Sequence, residues 1–288
     1  MTPYHRLSVL FCLGLFLTAA PSMAAPETDA PAKANETIDI SAEESLEWHQ
    51  DSQLYIARGR AKAVRGTMTV EADILTAHQR DAKQPSPQNK DAQNKNTQNG
   101  SDIDRMTAEG NVHIYDTKQQ VFGQKAVYDV DHNAIKITGD NLKLITEKNI
   151  VTAKDSLEYY QDKKLAIARG QAIGEHEGNR VEADLLTAQF AQNAQGALEM
   201  TELTAKDNVI IITKDGGVSR GNNALYNVKK NSAVLTDKVR ITRGETQLAG
   251  DKALIDFTTG QSRLINSGSG RVRALLPASG AKKTKASP

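Results

Sequence analysis

The chain has 288 residues, of which 36 are Lys or Arg, 35 are Asp or Glu and 1 is Cys. The net charge of +1 argues against a nucleic-acid-binding protein, because such proteins present a strongly basic face. Hydrophobic residues make up 39% of the chain, which is enough for a folded protein. After the first 20 residues, no stretch has the roughly 20 consecutive apolar residues of a membrane helix.

Residues 1–24 are predicted to be a secretory signal peptide. Arg6 precedes a long apolar run, and small residues flank the expected cleavage point after Ala24. Cleavage there would remove the only cysteine, Cys12, so we expect a mature chain without disulfides or thiolate chemistry. The prediction is therefore an exported, periplasmic protein that begins with a flexible linker over residues 25–36.

The chain repeats itself. The segment SAEESLEWHQDSQLYIARGRA at 41–61 matches TAKDSLEYYQDKKLAIARGQA at 152–172 in constant register. Further on, TAEGNVHI at 107–114 matches TAKDNVII at 204–211. A match that holds its register over so many residues indicates a duplication, and duplicated units that stack are typical of solenoid-like folds.

The two copies differ by one polar, low-complexity segment. The offset between matching residues shortens across 79–103 of the first copy, which we interpret as an inserted loop. The predicted organisation is a first repeat over 37–150 and a second over 151–279. A basic tail follows at 280–288 and is predicted to be disordered.

Inside each repeat, apolar and polar residues alternate, as in Val112-His113-Ile114. A period of two places the apolar set on one face of a β-strand, and about 14 strands with turn residues between them are predicted. A central Gly or Asp in many segments, such as Gly59, predicts a bulge or bend running along the stack. The predicted fold class is all-β: an open, twisted β-jelly-roll or solenoid-like stack of antiparallel hairpins.

The sequence carries no strong catalytic or metal-binding signature. Glu71 with Asp73 and Glu182 with Asp184 form carboxylate pairs on one strand face, which could do acid–base chemistry. Because the pair recurs at matching repeat positions beside apolar residues of the opposite face, a solvated outer face is the favoured interpretation. Glu175-His176-Glu177 resembles a metal motif, but a solvated turn is favoured. No enzyme activity, metal or cofactor is expected.

The order of these segments resembles a known family. The export signal, TIDISAEESLEW at 37–48, IARGRAKAVRGTMTVEADILTA at 56–77, TAEGNVHI and finally RVRALLPAS at 271–279 are similar to the OstA-like (LptA) family of periplasmic lipopolysaccharide-transport proteins. The resemblance implies an open β-jelly-roll whose members stack end to end into a bridge between the two membranes. The soluble bridge component is expected, since a cleavage site follows the apolar run and the chain after 279 is short.

The resemblance also implies partners and a ligand. Lipopolysaccharide would bind through the acyl chains of lipid A in a hydrophobic groove, and be passed from the inner to the outer membrane. The partners would be an inner-membrane-anchored and an outer-membrane OstA-like protein, together with further copies of the chain, without nucleic acid. Edge strands at 37–48 and 261–276 would make the end-to-end contacts.

The family's first strand carries two alternating isoleucines in the groove, which correspond to Ile38 and Ile40. Alternation extends the predicted groove, and the remaining members are Leu46, Leu54, Ile56, Met68, Val70, Val112, Ile114, Leu142, Leu144, Val209, Ile211, Val239 and Ile241. Two other hypotheses stay open. One is a structural or adhesive exported β-solenoid with a dry interior and no lipid ligand, and the other is a polysaccharide-active β-helix that uses the carboxylate pairs.

Overall fold

The computed structural model describes residues 38–80, 103–194, 196–266 and 271–277. The predicted signal peptide, linker and basic tail lie outside these residues. Most of the predicted loop 79–103 does too, although its end residues Gln79 and Ile103 pair with each other in the sheet.

The described residues form 18 strands and no helix. The first ten are β1 (Asp39–Ser41), β2 (Ser45–His49), β3 (Leu54–Arg65), β4 (Met68–Gln79), β5 (Ile103–Tyr115), β6 (Gln119–Asp129), β7 (Ala134–Thr138), β8 (Leu142–Thr146), β9 (Asn149–Ala153) and β10 (Ser156–Tyr160). The others are β11 (Leu165–His176), β12 (Asn179–Gln192), β13 (Leu198–Ile212), β14 (Val218–Asn227), β15 (Ser232–Arg243), β16 (Thr246–Asp256), β17 (Gln261–Ile265) and β18 (Arg273–Leu275). Nothing in this part of the chain is a helix that could cross a membrane.

All of these strands belong to one antiparallel sheet. Four pairs of short strands lie end to end against a shared neighbour: β1 and β2 against β3, β7 and β8 against β6, β9 and β10 against β11, and β17 and β18 against β16. Each pair of short strands together spans the width of the sheet, which each long strand spans alone. We call one such span a rung. The 18 strands therefore make 14 rungs, whereas about 14 strands were predicted, because four rungs are each divided into two short strands.

A bend runs through the rungs at their middle. In β3 the residues at the bend are Gly59, with φ of 80°, and Arg60, with φ of 41°. The pairing register with β4 shifts at the same place, so the bend predicted at central Gly and Asp residues is confirmed. Equivalent left-handed pairs recur in four further rungs of the described residues, at Gly110–Asn111, Gly170–Gln171, Asp207–Asn208 and Asp237–Lys238. Because these bends are aligned, they divide the whole sheet into two arms.

Each arm carries one continuous row of inward-facing residues, with one residue from every rung. The Leu46 row on the first arm is Leu46, Ala57, Leu75, Ala108, Ala126, Ile137, Leu157, Ala168, Leu186, Ala205, Ala224, Leu235, Ala253 and Leu264. The Ile40 row on the second arm is Ile40, Ala63, Val70, Ile114, Val121, Leu144, Val151, Gly174, Val181, Ile211, Ser219, Ile241, Leu248 and Ala274. Directly paired residues share a face of a sheet, so each row forms a nearly unbroken aliphatic strip.

A glycine substitution tests the bend. Gly110 and Gly216 both have left-handed backbone, with φ of 76° and 82°, which costs a residue with a side chain about 1–2 kcal/mol. At Gly110 a Cβ atom would also overlap the Asp73 carboxylate, whereas Gly216 has open space around it. Gly110→Ala is expected to lower the free energy of unfolding by clearly more than Gly216→Ala in urea denaturation. Equal losses would show that the packing of the bend contributes nothing.

Candidate functional site

The space between the two arms is the candidate site. Both rows contribute to a single cluster of buried apolar residues, so the arms face each other across the bend. Its members include Val112, which is 1% exposed, and Leu235, which is fully buried. The bend therefore turns two strips of the sheet into one apolar interior.

Thirteen of the fifteen predicted groove residues lie in or beside this interior. Ile40, Val70, Ile114, Leu144, Ile211 and Ile241 belong to the Ile40 row, and Leu46 begins the Leu46 row. Val112, Leu142, Val209 and Val239 lie two residues nearer the bend and are almost fully buried. Met68 packs against the cluster, and Ile38 is half-buried just before β1. The binding of lipid by these residues stays a prediction.

Leu54 and Ile56 are on the opposite face, and the face predicted for them is wrong. Leu54 pairs with His49 and His78, and Ile56 pairs with Glu47 and Thr76, so both lie on the polar outer face. The inward residues of this part of β3 are Tyr55 and Ala57. Apolar residues occupy both faces here, so alternation alone cannot choose between them.

Sequence analysis also missed most of the Leu46 row. Its alanines are small and were not recognised as lining residues, although Ala108, Ala126 and Ala253 are each less than 5% exposed. Larger residues that pack with the same cluster, such as Phe190 and Met200, were missed as well. The available signal was the recurrence of Ala in IARGRA and IARGQA at matching repeat positions.

In the middle of the sheet the arms close on each other. The cavity that remains between them has a volume of about 70 Å³ and is lined by Ile114 and Leu144 from one arm and by Ile137, Leu157 and Phe190 from the other. An apolar cavity of about 150 Å³ can hold benzene, and an acyl chain is larger than benzene, so its entry here requires the arms to move apart.

The pairing pattern makes such a movement possible. Every strand pairing among the described residues joins one rung to the next along the stack, and none joins the two arms. Separating the arms therefore breaks apolar contacts and leaves the backbone hydrogen bonds intact. An entering acyl chain can replace those contacts, because they have no directional requirement.

At the N-terminal end of the sheet the interior is open to solvent. Leu46 and Trp48 of β2 are 64% and 60% exposed, whereas Leu157 and Tyr159, which match them in the second repeat, are 9% and 3% exposed. The difference arises because β7 pairs with β10 in the middle of the sheet, while β2 pairs with β3 alone. The Trp48 ring stacks on Tyr55 at 6.0 Å between ring centroids.

A buried carboxylate joins the two repeats on the outer face. Glu158 accepts hydrogen bonds from Ser156 at 2.8 Å and from Arg169 at 3.1 Å, and the Lys136 ammonium of β7 lies 3.6 Å away. Burial acts to raise the pKa of Glu158, but hydrogen bonds from Ser156, Arg169 and Tyr160 outweigh it, so the pKa lies below its usual value.

The carboxylate pairs lie on the outer face, as predicted, and form ion pairs and hydrogen bonds there. Glu71 contacts the Lys62 ammonium at 3.1 Å and accepts a hydrogen bond from Tyr115 at 2.9 Å, and hydrogen bonds from these two groups hold its pKa below the usual value. Asp73 accepts a hydrogen bond from Asn111 at 3.0 Å. In the second repeat, Glu182 accepts from Arg180 at 2.7 Å.

His176 departs from its predicted environment. The expectation of a solvated turn is wrong, because its side chain is 3% exposed and its Nδ1 atom lies 2.7 Å from Asn149 Oδ1. No group of three or more potential metal ligands occurs among the residues that the structure describes.

Comparison with known proteins identifies related sequences. The family model described as "LptA/(LptD N-terminal domain) LPS transport protein" matches residues 39–164 and again residues 151–261. No curated protein matches the chain. Among solved structures, a similar one is LptH, "the LptA homologous periplasmic component of the conserved lipopolysaccharide transport device from Pseudomonas aeruginosa", with 17% identity over 45% of this chain and 95% of that chain and a TM-score of 0.40.

The buried carboxylate predicts a pH dependence of stability. Because the pKa of Glu158 is lower in the folded protein than its reference value of 4.5, its ionised form stabilises the fold above that value, and this contribution is lost as the pH falls through the folded pKa. Glu158→Gln is expected to cost about 1–3 kcal/mol at neutral pH. Urea denaturation as a function of pH should also show a flatter acid limb than the wild type.

The matched control is Glu245→Gln, which alters an exposed turn residue. Its stability profile is expected to follow that of the wild type. If Glu158→Gln kept the full acid dependence, Glu158 would not be the group responsible for it.

Proposed function

We propose a function from one premise: the chain belongs to the family of LptA and LptD N-terminal-domain lipopolysaccharide transport proteins. The proposed function is to carry lipopolysaccharide across the periplasm with its acyl chains held between the two arms. The observation that supports this best is the pair of aliphatic rows, because nearly every rung offers an acyl chain an apolar residue from each row. Each methylene group moved out of water contributes about 0.8 kcal/mol.

In this proposal the protein acts as a passive bridge. The signal peptide is cleaved after Ala24, and the mature chain receives lipopolysaccharide from an inner-membrane-anchored OstA-like partner and delivers it to an outer-membrane one. No catalytic step is involved. Direction comes from energy used by a partner, since similar sites in series give no preferred direction of their own.

A second candidate function is a structural or adhesive exported β-solenoid without a lipid ligand. The observation that favours it is the closed middle of the interior, where the cavity volume is about 70 Å³. The two functions differ in one respect that can be measured, which is whether lipid reaches the inner face of the sheet.

Photo-crosslinking in cells that make lipopolysaccharide distinguishes them. A photoreactive residue at Ile114, in the Ile40 row, is expected to form adducts with lipopolysaccharide. The control is His113, the preceding residue of the same strand, whose ring stacks on Tyr115 and Phe122 on the outer face. Adducts at neither position in folded protein would support the dry solenoid, and adducts at His113 alone would contradict the assigned faces.

We further propose that copies of the chain join end to end, in the way that its own repeats are joined. In the middle of the sheet, Ile137 pairs with Leu157 and Lys136 with Glu158. At the C-terminal edge, β17 takes the position that β7 has in the middle of the sheet. Leu264 of β17 pairs with Ala253, as Ile137 of β7 pairs with Ala126. In the sequence repeat, Leu46 and Glu47 correspond to Leu157 and Glu158.

Copying the internal junction gives the register of the external one. Leu264 of one copy would oppose Leu46 of the next, and Arg263 would oppose Glu47. Glu47 already has a network like that of Glu158, with hydrogen bonds from His49, Ser45 and Arg58 that lower its pKa to about 2. The next copy would add the cation that Lys136 supplies in the middle of the sheet, and it would cover Leu46 and Trp48.

Cysteine cross-linking tests this register, since the mature chain has no cysteine of its own. A chain with Glu47→Cys and Arg263→Cys is expected to form disulfide-linked oligomers, because residues directly opposed in antiparallel strands lie within disulfide range. The matched control pairs Glu47→Cys with Gln261→Cys, which is on the same face but two residues out of register. Equal cross-linking of both chains on a non-reducing gel, or cross-linking of neither, would contradict the proposed junction.

A further inference from the structure

The cavity between the arms contains one polar feature that an apolar core does not explain. Tyr159 of β10 lines the cavity and is 3% exposed, and its hydroxyl group is buried without a hydrogen-bond partner among the described residues. A buried donor that makes no hydrogen bond destabilises a protein, and phenylalanine would fill the same space without that cost. Burial raises the pKa of Tyr159, so the hydroxyl group is protonated and can donate at neutral pH.

Two other inward-facing tyrosines of the first arm are in a different situation. The Tyr226 hydroxyl donates to Asn231 Oδ1 at 2.9 Å and the Tyr128 hydroxyl to Asn133 Oδ1 at 3.2 Å, so both are satisfied within the chain. A bound water molecule does not account for the Tyr159 hydroxyl group either, because a buried water needs two to four polar partners. The other residues that line the cavity are aliphatic or aromatic except Glu158, whose carboxylate accepts hydrogen bonds from Ser156 and Arg169 on the outer face.

The duplication shows that a donor recurs at this place. Trp48 matches Tyr159 in the first repeat and faces inward at the open end of the sheet, paired with Tyr55. Indole N–H and phenol O–H are both single donors on an aromatic ring. The Leu46 row is apolar, and in each repeat an aromatic hydrogen-bond donor lies beside it.

We infer that Tyr159 donates a hydrogen bond to a hydroxyl oxygen on an acyl chain when the chain enters between the arms. The inference rests on the proposed function and specifies the chemistry of its ligand. The aliphatic rows bind the methylene groups, and the Tyr159 hydroxyl favours chains that carry a hydroxyl group over chains that carry none. The oxygen substituent would otherwise lose its hydrogen bonds to water on entering the interior.

Two fatty acids and two variants test the inference. The probes are tetradecanoic acid and β-hydroxytetradecanoic acid, with affinities measured by calorimetry on the full mature chain. Tyr159→Phe is expected to weaken binding of the hydroxylated acid about threefold to tenfold, as for the loss of one hydrogen bond, and to leave tetradecanoic acid unchanged. The unliganded variant should unfold at the same or a higher temperature than the wild type.

The control is Tyr226→Phe, which removes a hydroxyl group that already has a partner. It is expected to lower thermal stability without changing the preference between the two acids. Equal weakening of both acids by Tyr159→Phe, or a loss of stability in its unliganded form, would show a packing role and overturn the inference. If neither acid bound the wild type, the lipid-carrier function itself would fail.

Discussion

The structure depends on a bend at which the pairing of neighbouring rungs is interrupted briefly and then resumes in a shifted register. Five rungs of the described part of the chain adopt left-handed backbone at two consecutive central residues, such as Gly59 and Arg60, and the neighbouring strand β4 passes the bend with a shift of register. A bulge of this kind changes the direction of a strand while its ends stay paired. Because the bends of successive rungs are aligned, the two arms meet along one interior.

The same ladder explains how two repeats become one body. The last rung of the first repeat, β7 and β8, pairs with β10 and β9 of the second, so the sheet runs on without a boundary. At that junction the pair Leu157 and Tyr159 is buried, whereas its counterpart Leu46 and Trp48 is exposed at the N-terminal edge. The contrast shows what one additional rung does to these positions, and it is the basis of the proposed junction with a second copy.

The interior combines a rigid wall with a separable contact. Each arm is held by backbone pairing within its own stack of rungs, while the contact between arms is apolar and non-directional. A ligand made of methylene groups can take the place of such a contact with little loss of specific interactions. The small cavity and the proposed lipid function are therefore compatible, provided that binding and separation of the arms occur together.

By itself, the sequence determined the all-β class, the bend, the duplication and the family, because these depend on local signals. Alternation of apolar residues sets the strand type, and central Gly and Asp residues mark where the backbone can turn. What only the tertiary structure decided was the environment of particular side chains. In LYIA both alternating sets are apolar, so the pairing of Ala57 with Leu46 and Leu75 had to choose which set faces inward. The burial of His176 and the hydroxyl of Tyr159 likewise depends on neighbouring rungs and the facing arm, which no local pattern encodes.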